Sequence, residues 1–214
     1  MKKLSIINEN IFDGIGKRSK GDIVRKENYV KQVDLGLPSG TIWATCNLGA
    51  SSPEEYGDYY AWGETEPKDT YYWKMYKFGN MYDLTKYNKE DRKTILDPED
   101  DAAHILLGGK WHIPTQEQMK ELIDNTTNEK SELNGVKGRL FTSKINGNTL
   151  FFPYSGLKVG SSVYGREDGC CYYWSSSIHK ISPNRAMGSD SDLYGLRSCD
   201  RNCGLFIRGV FDKK

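Results

Sequence analysis

The chain has almost no surplus of either charge: 30 Lys and Arg face 29 Asp and Glu across 214 residues, a net of +1. A polyanion partner needs a basic patch, so this balance argues against nucleic acid. No apolar run approaches the ~20 residues that cross a bilayer, which argues against membrane insertion. The opening MKKLSIINENIFDG has the Lys pair of a secretory leader, yet Asn8, Glu9 and Asn10 interrupt the apolar stretch a leader requires. Histidine is scarce, and His104, His112 and His179 share no metal-ligand spacing with one another or with cysteine. A Ser nucleophile elbow, an HExxH helix and a phosphate loop are all missing. Gly14, Gly16 and Lys17 match neither the Walker nor the dinucleotide spacing. The residues therefore point to no catalytic group, no cofactor and no resident metal.

Cysteine is also sparse and odd in number, at five, so at least one thiol is unpaired or pairs between chains. Cys46, inside TIWATCNLG, reads as a small buried hydrophobe. Cys170 and Cys171 are adjacent, a poor geometry for chelation. Cys199 and Cys203 are close enough for a disulfide, copper or zinc, but zinc wants two further ligands at recognisable spacing. They read as incidental thiols in a polar run.

What the sequence does have is 14 Tyr, five Trp and 22 Gly, a composition of short strands and ordered loops. Residues 1–27, with the basic GIGKRSKGD, read as an arm or attachment segment, and 28–214 as one domain. YVKQVDL and TIWATCNLG, split by the turn GLPSG, predict two strands. EEYGDYYAWGE and TYYWKMYKF predict semi-extended aromatic segments packed on a sheet. In LDPEDDAAHILL, Asp97 reads as an N-cap with Pro98 at the first helical position and Glu99, Asp100 and Asp101 at the positive end of the dipole. Ala102, Ala103, Ile105 and Leu106 would form its buried stripe. In IPTQEQMKELIDN, Thr115 and Gln118 predict a capping box, and Met119, Leu122 and Ile123 one apolar face. VKGRLFTSK and TLFFP flank Asn146-Gly147, a strong hairpin signal. YYWSSS and GLFIRGVFD predict further strands. Two helices bunched within strands imply an α+β fold of antiparallel sheets, short amphipathic helices and long ordered loops.

VDLGLPSGTIWATCNLGASSPEEYGDYYAWGETEPK, LDPEDDAAHILLGGKWHIPTQEQMKELIDN, NGNTLFFPYSG and YYWSSS together resemble a bacterial and phage family with a C-type-lectin-like fold. Its members include the variable proteins of diversity-generating retroelements. It is related to the formylglycine-generating enzymes, whose helix entry WHIPTQEQMKEL resembles. The resemblance spans roughly residues 30–211 and implies a variable region over about 158–206. Such a retroelement rewrites adenines in Asn codons, which reaches every residue type except Lys, Glu, Gln, Met and Trp. Those types account for 47 of 214 residues, a share that would place about four in the window 188–206, which contains none. Lys180 and Met187, just upstream, must then be fixed positions.

The resemblance implies a non-enzymatic ligand- or receptor-binding protein, a phage tail-tip receptor-binding protein or a bacterial surface adhesin. Its partner would be a cell-surface protein or glycan, with the N-terminal arm joining a larger assembly and repeated display in a homo-oligomer adding avidity. Tyr, Ser, Asn and Arg on loops suit such a surface, because they combine contact area with adaptable hydrogen bonds. The expected contacts are Tyr164, Arg166, His179, Asn184, Arg185, Ser189 and Asp190. Asp192, Tyr194, Arg197, Ser198, Asp200, Arg201 and Asn202 complete them. Trp174 and the serines after it would supply the scaffold. Two alternatives remain. One is a copper oxidase like the formylglycine-generating enzymes, using Cys199 and Cys203, although their spacing is one residue shorter than that family's. The other is a calcium-dependent lectin. The run DPEDD offers carboxylates, but a helix start explains it, and the Glu-Pro-Asn and Gln-Pro-Asp sugar signatures are missing.

Overall fold

The computed structural model describes residues 31–189 and 192–213. The arm expected over 1–27 and the contact expected at Asp190 lie outside the described residues. Strand β1 (Gln32–Asp34) pairs antiparallel with β2 (Thr41–Ala44) through the expected turn, in which Gly40 donates to the Leu37 carbonyl at 2.9 Å. Gly36 and Gly40 sit at φ 68° and 80°, a region side chains rarely enter.

The next described segment, Leu48 to Leu96, is mostly irregular and is anchored by buried aromatics. Tyr60, Trp62, Tyr71 and Tyr87 are each at most 1% exposed. Helix α1 (Ala102–Leu107) and α2 (Gln116–Asn125) follow. The α2 capping box forms as read: Thr115 accepts from the Gln118 N–H, and the Gln118 side chain accepts from the Thr115 N–H. The first helix departs from expectation. Pro98–Asp100 is a separate 3-10 turn, and Asp101 rather than Asp97 caps α1, its carboxylate accepting from His104 N–H at 3.0 Å. Its buried face is Ala102 and Ala103, while Ile105 and Leu106 are 50% and 40% exposed.

Strands β3 (Thr126–Leu133), β4 (Val136–Ser143) and β5 (Thr149–Pro153) form one antiparallel sheet, with the Asn146-Gly147 turn joining the last two. A two-stranded ribbon follows, β6 (Leu157–Val159) with β7 (Ser162–Tyr164). Strands β8 (Trp174–Ile178), β9 (Arg185–Ser189) and β10 (Leu196–Asp200) form a third antiparallel sheet with β9 central. Strand β11 (Val210–Asp212) returns to pair with β2, so the two ends of the described domain share a sheet. The fold is thus α+β, dominated by antiparallel pairs. GLFIRGVFD is a strand only over its last third; residues 204–209 run extended between other elements, hydrogen-bonding Lys158, Tyr60, Tyr172, Trp174, Leu48 and Ala44 in turn.

Two apolar clusters fill the interior. One gathers Tyr60, Trp62, Tyr76, Phe78, Tyr87 and Trp174. The other gathers Trp43, Met119, Phe141, Phe152, Tyr173 and Phe206. Reciprocal indole bonds lace the aromatic loop to the third sheet: Trp62 Nε1 donates to the Ser175 carbonyl at 2.9 Å and Trp174 Nε1 to the Tyr60 carbonyl at 2.8 Å. Both tryptophans therefore pack without stranding a polar N–H. Ser175 Oγ donates to the Met187 carbonyl, the scaffold role expected of that serine run.

Candidate functional site

The third sheet builds the surface. Its register sets Arg197 opposite Gly188, Ser198 opposite Met187, Cys199 opposite Ala186 and Asp200 opposite Arg185. Side chains alternate along strands, so Arg197 and Cys199 share one face while Arg185, Ser198 and Asp200 share the other. A Cβ on Gly188 would lie 2.5 Å from the Tyr173 carbonyl oxygen, so only glycine lets β8 and β9 approach this closely.

Arg197 borders a cleft of about 150 Å³. Leu157, Tyr172, Cys199 and Leu205 give it an apolar side; Arg185, Ser189, Arg197 and Ser198 give it a polar one. Most of the polar side is committed internally. Arg185 donates to Asp200 Oδ1 at 2.8 Å, to Ser198 Oγ at 3.0 Å and to the Ser198 carbonyl at 2.5 Å. Ser189 Oγ accepts from Tyr173 N–H and donates to the Cys171 carbonyl. Arg197 is different: it is exposed, and its guanidinium makes no hydrogen bond or ion pair among the described residues. Burial raises the Tyr172 hydroxyl above its ordinary range, keeping it neutral.

Beside this cleft, Val163, Tyr164, Arg166, Glu167 and Asp168 line an open depression of about 370 Å³. Tyr164 is 56% exposed, and Arg166 is braced by Tyr59, donating to its hydroxyl at 2.8 Å and stacking 4.3 Å over Tyr56. On the other flank, the loop 192–194 is fastened to β3 and β4. Asn128 Nδ2 donates to the carbonyls of Asp192 and Leu193, both at 3.1 Å, and Arg139 lies 4.7 Å beneath the Tyr194 ring. Leu193 sits at φ 56° with its side chain buried, a backbone cost of about 1 kcal/mol offset by the apolar cluster it enters. Tyr194, 60% exposed, and Asp192 remain at the surface. His179 and Asn184 are half-buried: His179 Nδ1 accepts from Ser182 N–H at 3.0 Å, and the Asn184 carbonyl accepts from Arg201 N–H.

Three expected contacts require correction. Ser189, Arg201 and Asn202 are 3%, 0% and 5% exposed, so none presents its side chain to a partner. Arg201 is an internal strut. It donates to Tyr76 Oη at 2.8 Å and to the carbonyls of Pro183, Tyr87 and Lys86 at 3.0–3.1 Å, inside a cage of Trp62, Tyr76, Phe78 and Tyr87 rings. Aromatic faces and carbonyl dipoles replace the water this cation loses. Asn202 Nδ2 donates to the Tyr71 carbonyl. Among its described residues, the stretch 188–204 therefore holds a buried frame (Gly188, Ser189, Leu193 and 201–204), exposed Asp192, Tyr194 and Arg197, and half-buried residues such as Ser198 between them. Tyr172, Leu157 and Leu205, which line the cleft, carry no sequence signal separating them from core residues.

All five cysteines are free thiols, and Cys46 is half-buried rather than buried. Cys203 hydrogen-bonds Cys199 and holds its thiol below the ordinary range against burial, while the same contact drives Cys203 upward. Among the described residues, the cluster of metal-type side chains is Asp97, Glu99 and Asp100, in the run that suggested calcium. Lys86 already fills it, its ammonium 2.6, 3.0 and 2.5 Å from those three carboxylates in turn. No helix among the described residues is long and apolar enough to cross a membrane.

No protein-family model, curated protein or solved structure matches this chain.

Proposed function

We propose that the chain is a non-enzymatic ligand-binding domain of C-type-lectin-like fold, related to the variable proteins of diversity-generating retroelements. In this reading the third sheet and the ribbon beside it present a chemically permissive surface to a cell-surface protein or glycan, on a phage tail tip or a bacterial surface. The observation that carries it is the division of residues 188–204. Among its described residues, some polar side chains are consumed in the interior, as Arg201 is, and others stay at the surface, as Arg197 does beside the cleft. A loop can vary only where a packed frame holds it, and the buried aromatics with the Arg201 strut supply such a frame. The lettering outside the frame, Asp, Tyr, Arg and Ser, is that of adaptable paratopes.

The test is capture on combined glycan and protein arrays by the full chain and by a variant with Asp192, Tyr194, Arg197 and Ser198 all changed to Ala. A partner captured by the parent and lost by an equally stable variant supports the reading. Capture that survives all four changes removes it.

A further inference from the structure

The cleft's chemistry narrows what it accepts, and the argument rests on the binding reading just given. Among the described residues, two guanidiniums and no carboxylate line the cleft. Arg185 is largely committed: Asp200 neutralises its charge and Ser198 takes two more of its five donors. Among the described residues lining the cleft, Arg197 is the guanidinium with no hydrogen bond or ion pair. Guanidinium forks match carboxylates in geometry as well as charge.

Few of the cleft's hydroxyls are open to a sugar. Ser189 both donates and accepts internally, Ser198 Oγ accepts from Arg185, and Tyr172 flanks an apolar wall of Leu157, Leu205 and Cys199. A monosaccharide needs several free donors and acceptors, since each buried hydroxyl left unpaired costs binding energy. The volume, about 150 Å³, is that of a cavity holding one benzene-sized group. The site thus offers room for one apolar side chain and, at its rim, one cation for a carboxylate. A polypeptide carries both on the same Cα only at its C-terminal residue.

We infer that this cleft captures the C-terminal residue of a protein partner, its apolar side chain against Leu157, Tyr172 and Leu205 and its α-carboxylate on Arg197. Capture of a terminal carboxylate is an established mode of peptide recognition, and here a side-chain guanidinium takes the place of backbone donors.

The test is a ¹H–¹⁵N NMR titration of the full chain with acetyl-Gly-Gly-Leu, its C-terminal amide, the amidated peptide acetyl-Gly-Glu-Gly, and N-acetylneuraminic acid. The free-acid peptide should bind weakly and saturably, with shifts confined to residues 157, 172, 197–199 and 205. The amide should bind about fivefold more weakly, the scale of one partly exposed ion pair. Arg197→Gln should weaken the free acid about fivefold and leave the amide unchanged. The inference fails if the amide equals the acid, if Arg197→Gln changes nothing, if the internal Glu or the acidic sugar binds as well, or if no shift centres on the cleft. Array capture that persists while these peptides fail would retain the binding reading and remove this inference alone.

Discussion

Arg201 and Arg197 stand four residues apart on one polar stretch, and their replacement should have opposite consequences. Changing Arg201 to Met keeps much of the volume and removes four donated hydrogen bonds. Tyr76 Oη keeps a partner, because it donates to the Trp62 carbonyl, but the carbonyls of Pro183, Tyr87 and Lys86 lose the guanidinium. A buried group left unpaired costs about 1–3 kcal/mol; the Tyr87 bond is buried and those to Pro183 and Lys86 part-buried, so the three together give about 4–6 kcal/mol. Relief from burying a charge offsets part of this, leaving about 3–5 kcal/mol. With a urea slope of about 2 kcal/mol per molar, the unfolding midpoint should fall by about 2 M. Arg197→Met, at the surface, should stay within about 0.5 kcal/mol of the parent. Arg201→Lys should recover little, because an ammonium cannot reach four acceptors in a fixed fork. Equal midpoints for the Arg201 and Arg197 variants would refute the division between frame and surface.

Three further outcomes follow from the same geometry. Gly188→Ala should cost about 2 kcal/mol in chemical denaturation, because its methyl meets the Tyr173 carbonyl at 2.5 Å, whereas Ser198→Ala should cost under about 1 kcal/mol. Asp97 is held below its ordinary range by Lys86 and Lys93. Burial would raise Asp100, but Lys77, Lys86 and Tyr87 outweigh it. Depressed carboxyls stabilise above their unfolded values, ~4, and lose that contribution as pH falls through their lower folded values. Lys86→Met should therefore flatten the acid limb of a stability–pH curve measured from pH 5 to 2; an unchanged limb would contradict the network. Asp101, raised by burial, contributes with the opposite sign and should persist in both curves. Finally, since Lys86 occupies the carboxylate cluster, millimolar calcium should leave the thermal midpoint unmoved, and a rise would show that calcium displaces the lysine.

Where sequence was informative, a local pattern decided the structure. The Thr115–Gln118 box and the Asn146-Gly147 hairpin each depend on residues close together in sequence. Where it was silent, the deciding partners are distant. Strand β3, TTNEKSEL, alternates too weakly to announce itself and forms because β4 supplies a complete ladder. Ile105 and Leu106 stay exposed because the six-residue helix α1 packs through Ala102 and Ala103 instead. Arg201 and Asn202 look like surface residues by type, and only Tyr76, Tyr87 and Tyr71, more than 100 positions away, draw them inside. Of the predicted contacts, the exposed ones cluster on the third sheet and its flanks because strand alternation and the Arg185–Asp200 pairing place them there.

The account stands most directly on saturation mutagenesis of residues 188–204, sorted once for folded display and once for capture of an array-identified partner. Ser189, Leu193, Arg201 and Asn202 should be depleted in both sorts, and Asp192, Tyr194, Arg197 and Ser198 only in the capture sort. Depletion at those four positions in the folding sort, or no capture-specific depletion anywhere in the stretch, would contradict it.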